Sequence, residues 1–187
     1  CLLLKLSFDM EIYLVRHTET TCEKGICYGQ SDVDLAEPFD SIFENIVSQL
    51  PSEAIIFSSP LKRCVILAQY IQDNIKTISY QEDKRLMEMD FGDWEMKNWN
   101  DILPEQLNPW MEDFVNVPAS NGESFVVLHK RTEAFLSHLT SKQINSPIIV
   151  VCHAGIIRSI LCHHSSLPLK DAFQNKADFG EVIKIEL

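Results

Sequence analysis

The sequence contains no apolar run approaching the roughly 20 residues that cross a bilayer as a helix. Its opening, Cys1-Leu2-Leu3-Leu4-Lys5-Leu6, is apolar but short, and no small-residue cleavage site follows, so it does not read as a secretory signal. Basic residues are scarce: 16 Lys and Arg face 27 Asp and Glu, a formal net charge of −11. That balance argues against a general nucleic-acid binder and against an anionic-membrane binder. No low-complexity tract is present, and no internal repeat beyond one paired strand pattern described below. The six cysteines (Cys1, Cys22, Cys27, Cys64, Cys152 and Cys162) match no common zinc spacing. A chain of 187 residues buries enough core to hold without disulfide staples. Reduced thiols in the cytoplasm are therefore expected.

What remains is an ordinary globular composition, 45% hydrophobic and 23% charged, on a length that suits one sizeable domain. Met10 precedes the first strand-like run. We expect residues 1–9 to be an extension and 10–187 to form the domain. An acidic chain that handles an anionic substrate must build a local cationic pocket against its own field, so each arginine near a strand end is informative.

Ile12-Tyr13-Leu14-Val15 suits a buried strand and ends in Arg16-His17. Ile148-Ile149-Val150-Val151-Cys152 repeats the plan and ends in His153. Ala54-Ile55-Ile56-Phe57 is a third such strand, and Thr77-Ile78-Ser79-Tyr80 a shorter one. Between them, Phe39, Ile42, Phe43, Ile46, Val47 and Leu50 recur at helical spacing, with Asp34 or Glu37 as a cap and Pro51 as a stop. Leu61, Cys64, Val65, Ala68 and Ile71 mark a helix that Ser58-Ser59-Pro60 should open. Pro104, Pro109 and Pro118 should break the next stretch into short pieces. Ser124 opens a helix with Phe125, Leu128, Phe135, Leu136 and Leu139 inward, and another helix follows Ala154-Gly155. The alternating end, Glu181 to Leu187, reads as a half-buried edge strand. Strands alternating with helices give an α/β fold: a three-layer α/β/α sandwich on a mostly parallel sheet with an edge strand.

Arg16, His17, Arg63 and His153 all fall at strand ends or first helical turns, and in a parallel sheet such ends share one side. An arginine fork makes two parallel bonds to phosphoryl oxygens and keeps its charge. Neutral imidazole offers phosphorus a free nitrogen near pH 7. Neighbouring arginines disfavour the imidazolium and keep that nitrogen free. A helix start after Gly155 adds backbone N–H groups.

The segments Leu14-Val15-Arg16-His17-Thr18, Ser58-Ser59-Pro60-Leu61-Lys62-Arg63, Leu86 to Glu95, Asn121-Gly122-Glu123-Ser124-Phe125 and Cys152 to Arg158 resemble, in order, those of the histidine phosphatase superfamily, whose fold is phosphoglycerate-mutase-like. The resemblance implies a phosphomonoesterase in which His17 attacks phosphorus. Arg16, Arg63 and His153 would hold the phosphoryl oxygens, and Glu88 would act as acid, then base. It implies no metal and no other cofactor. Thr18 replaces a common Gly, Glu23 stands where many members have a phosphate-binding Asn, Ala154 replaces a Gly after His153, and Met96 replaces a Gly after Trp-Glu.

Thr18 together with Cys27-Tyr28-Gly29-Gln30-Ser31-Asp32-Val33-Asp34-Leu35 is similar to the α-ribazole phosphatase branch, which removes the 5′-phosphate of α-ribazole phosphate in cobalamin assembly. That likeness implies a small-molecule phosphate monoester as partner, with Thr18, Tyr28, Gly29, Gln30 and Ala154 around it. Tyr28 would stack on a base, and Gln30 or Ser31 would bond a sugar. A broad-specificity sugar-phosphate or nucleotide phosphatase, a mutase, and a non-catalytic phosphoprotein binder are the alternatives. The residues leave a homodimer open.

Overall fold

The computed structural model describes residues 10–142 and 144–187. The expected extension, 1–9, lies outside the described residues.

Five strands form one sheet in the order β3-β2-β4-β1-β5: β1 (Glu11–Arg16), β2 (Glu53–Ser58), β3 (Lys76–Glu82), β4 (Ile148–Cys152) and β5 (Val182–Glu186). β1, β2, β3 and β4 run parallel, and β5 pairs antiparallel with β1 at the edge. All five residues of β4 are buried, as a central strand covered on both faces requires. Alternation assigns their sides. Ile148, Val150 and Cys152 join Ile12, Leu14 and Phe57 in one core cluster, with α4 (Phe125–Ser141) and α5 (Ala154–Ser165). Ile149 and Val151 join Val15 and Ile56 in the other cluster, with α1 (Asp40–Ser48) and α2 (Lys62–Asn74). The expected three layers are present.

The helix boundaries depart from the sequence reading in three places. α1 starts after Phe39 with no side-chain cap, so neither Asp34 nor Glu37 serves. Asp34 instead pairs with Lys62 at 2.5 Å. α2 starts after Leu61, also uncapped. Ser59 Oγ accepts the Leu61 N–H at 3.3 Å and bonds His153 Nε2 at 2.8 Å. Third, α3 (Pro104–Glu112) runs through Pro109 rather than breaking there. Pro104 occupies its first turn, where a missing N–H is harmless. Pro109 costs one bond near the end of a short helix, and the burial of Trp110 against Trp94 and Trp99 offsets it.

Candidate active site

β1 and β4 are parallel neighbours, and Arg16 is the register partner of Cys152. The next residue in each strand is a histidine, so His17 and His153 occupy equivalent positions. The His17 N–H donates to the Cys152 carbonyl at 3.2 Å. The two rings meet edge-on with centroids 5.1 Å apart. Both are buried.

The His17 Nδ1 lies 2.8 Å from the Thr18 carbonyl oxygen. A carbonyl only accepts, so Nδ1 carries the proton and Nε2 keeps its lone pair. Burial, then the Arg63 guanidinium, lower the His17 pKa to about 3; the Thr18 carbonyl opposes them, and Arg16 adds a smaller push downward. The ring is neutral near pH 7, the form that can attack phosphorus. Burial, together with His17 and both arginines, likewise pushes His153 well below its ordinary value. Ser59 Oγ holds its Nε2, and Cys64 Sγ lies 3.5 Å from the same atom.

Arg63 is fully buried, an expensive place for a guanidinium. Its Nη1 donates to the Ser31 carbonyl at 2.9 Å and its Nη2 to the Gly29 carbonyl at 2.6 Å. Arg16 Nη1 donates to the Ala177 carbonyl at 2.5 Å, and its guanidinium sits 3.7 Å over the Phe179 ring. Arg16 Nε, Arg63 Nε and Thr18 Oγ1 are buried with no hydrogen-bond partner among the described residues. Unpaired buried donors are costly; both guanidinium groups also border the cavity, which makes it a cationic setting for an anion. Arg16, His17, Arg63, Glu88 and Arg158 line one cavity of about 350 Å³, walled also by Tyr28, Phe91 and Trp99.

Glu88 reaches the cavity from the segment after β3. Its Oε1 accepts the Met89 N–H at 2.9 Å, and its Oε2 accepts the Gly155 N–H at 3.1 Å. A Cβ at position 155 would come within 2.3 Å of Glu88 Oε1, which explains the glycine. Arg131, on α4, holds the backbone behind it. Its Nη2 donates to the Glu88 carbonyl at 3.0 Å and to Glu123 at 2.5 Å, and its Nη1 donates to the Met87 carbonyl at 2.6 Å.

The long loop from Thr18 to Leu35 is fastened by Glu95. That carboxylate accepts the Gln30 N–H at 2.7 Å, the Ser31 N–H at 2.6 Å and the Ser31 hydroxyl. The Gln30 side-chain amide donates to the Glu88 carbonyl at 3.1 Å. Gly29 is packed so tightly that a Cβ would overlap the Met89 carbonyl at 1.9 Å. Gly29, Gln30 and Ser31 are thus engaged in shaping the loop, whereas sequence reading had Gln30 or Ser31 bonding a sugar. Tyr28 faces the cavity, with Thr20 Oγ1 donating to its hydroxyl at 3.2 Å. Ala154 is buried at the first position of α5. Glu23 is exposed and lines other depressions, not the cavity around His17. Met96 has a left-handed backbone, at φ 63°, a region that glycine adopts more readily.

Ser59, Glu95, Arg131 and Phe179 also support the site. Each acts on a residue distant in the chain, and no local pattern marks it.

Fold and cavity together define an α/β enzyme of phosphoryl chemistry, with a histidine pair set between arginines at the C-terminal edge of the sheet. Residues 12–187 match the model of the histidine phosphatase superfamily, branch 1, and the chain belongs to that family; it is a phosphatase. It is 26% identical over 177 residues to the adenosylcobalamin/alpha-ribazole phosphatase of Escherichia coli, covering 91% of this chain and 87% of that protein. It is 28% identical over 159 residues to phosphoserine phosphatase 1 of Hydrogenobacter thermophilus, covering 82% and 75%. The alpha-ribazole phosphatase structure from Shigella flexneri superposes with a TM-score of 0.85 at 25% identity, over 94% of this chain and 89% of that one.

Proposed function

We propose that this phosphatase hydrolyses a small phosphate monoester through a phosphohistidine at His17, and that its substrate is α-ribazole 5′-phosphate. The His17 Nε2 lone pair attacks phosphorus in line, and the bond to the ester oxygen breaks. Glu88 gives that oxygen its proton. Glu88 then takes a proton from water, whose oxygen attacks phosphorus while the P–N bond breaks. Inorganic phosphate leaves and free His17 returns. Arg16, Arg63 and His153 stabilise the charge on the equatorial oxygens, so catalysis is positioning plus electrostatics.

The observation that carries the substrate reading is the wall of Tyr28, Phe91 and Trp99 on the same cavity as His17. A flat aromatic base beside the ribose can stack there. The relative with that activity in its name supports it. A second reading rests on Arg158, which also lines the cavity and has no carboxylate partner among the described residues. It could take the carboxylate of phosphoserine. A reducing cytoplasm suits the five free thiols among the described residues.

A panel of esters decides. The account expects kcat/KM for α-ribazole 5′-phosphate at least 10-fold above that for phosphoserine or a plain sugar phosphate. Preference for phosphoserine, lost in Arg158→Ala, would establish the second reading instead.

A further inference from the structure

One cluster of metal-ligating side chains lies apart from the cavity. His129 and Glu133 sit one turn apart on α4, and His163 sits on the last turn of α5 beside them. None of the three lines the cavity around His17. The geometry points to a binding site for one zinc-class transition-metal ion that clamps α4 to α5.

His129 Nε2 lies 3.4 Å from Glu133 Oε1, and His163 Nδ1 lies 3.4 Å from the same oxygen. A tetrahedral zinc ion with bonds of about 2.0–2.1 Å holds its ligand atoms about 3.3–3.4 Å apart. Two of the three ligand–ligand edges already have that length, and all three donor atoms lie within 4.8 Å of one another. The chemistry also suits zinc: two imidazoles and one carboxylate, with the fourth position open to water.

A second observation concerns the other nitrogen of His129. Its Nδ1 bonds the hydroxyl of Ser159 at 2.9 Å. Ser159 is fully buried on α5. Zinc-binding histidines regularly donate their other ring N–H to an acceptor that fixes the ring, and the Ser159 oxygen is placed to accept it when Nε2 binds the ion. Here the partner comes from the opposite helix, so α5 both orients the His129 ring and supplies the third ligand. Glu133 and His163 remain partly exposed, which gives an ion a path in.

The ion would be structural. α5 begins at the residue after His153, and its Gly155 N–H holds Glu88. Arg131, on α4 between the two ligands of that helix, holds the Glu88 backbone. A clamp between these helices braces the frame of the site without entering it.

The test is titration of the whole chain with ZnCl2 by calorimetry, beside Glu133→Gln and His163→Ala, with melting temperature as a second readout. The wild type should take up one more zinc per chain than either variant. Zinc should raise the wild-type melting temperature and not theirs, and MgCl2 or CaCl2 should do neither. Both positions are partly exposed, so both variants should fold and hydrolyse p-nitrophenyl phosphate at the wild-type rate. Equal zinc uptake by wild type and variants, or no uptake by the wild type, would overturn the site.

Discussion

The Gly155 N–H and the Glu88 Oε2 are 3.1 Å apart, which ties the first turn of α5 to a carboxylate delivered from the far side of the sheet order. A Cβ at 155 would come within 2.3 Å of Glu88 Oε1, so any larger residue there would push the carboxylate aside. If Glu88 is the leaving-group acid, Glu88→Gln should lower kcat by about 10²–10⁴-fold on an alkyl phosphate. The loss on p-nitrophenyl phosphate, whose leaving group needs no proton, should be much smaller. Gly155→Ala should show the same asymmetry in weaker form, because it displaces the carboxylate and leaves His17 in place. Steady-state rates on the two esters check both, and equal losses would argue against the acid role.

Arg16 and Arg63 differ in what they hold within the protein. Replacing either with Ala should cost about 10²–10³-fold in kcat, the range for one lost transition-state donor. Arg63 also satisfies two loop carbonyls from a fully buried position. Arg63→Ala should therefore lose about 1–3 kcal/mol of stability for the orphaned groups, more than Arg16→Ala. Urea denaturation of the two variants gives the comparison.

Glu95 is the anchor of the loop that walls the cavity. Its removal leaves the N–H groups of Gln30, Ser31 and Phe91 without their acceptor. We expect Glu95→Ala to raise KM more than it lowers kcat, since Glu95 shapes the loop without lining the cavity itself. A fall in kcat alone would place Glu95 in the chemistry.

The positions of β1, β2 and β4 could be read from residues, because buried parallel strands are continuous apolar runs. A histidine follows both β1 and β4, and the register of the two strands brings His17 beside His153. Glu88 had no such marker among its acidic neighbours and rested on family likeness. The supports of the site were invisible for a different reason. Ser59 looks like a helix cap but bonds a histidine 94 positions away, and Glu95 reaches back 64 and 65 positions to the loop. Local chemistry at such residues suggests the nearest use, and tertiary packing selects another. Pro109 is the same lesson in an element, where a buried tryptophan beside it keeps the helix intact.

Acid should destabilise the fold in a defined window. Burial and the neighbouring arginines hold the His17 pKa at about 3, against an ordinary 6.5. Between those values the unfolded chain binds a proton at this residue and the folded chain does not. Stability therefore falls as pH drops through 6.5, at up to about 1.4 kcal/mol per pH unit from this group, and the loss ends below about 3. His153 adds in the same direction. In His17→Asn, the urea midpoint should fall less steeply from pH 6.5 to 4 than in the wild type. An unchanged slope would mean that the ring is already protonated in the folded protein.

The central claim is that His17 carries the phosphoryl group. Rapid mixing of the enzyme with a ³²P-labelled phosphate monoester, quenched in alkali, tests it directly. The account predicts label on the protein that survives alkali, is released by acid and maps to the peptide holding His17, and it predicts no label on His17→Ala. A wild-type enzyme that turns over with no labelled protein, or label that persists in His17→Ala, would contradict it.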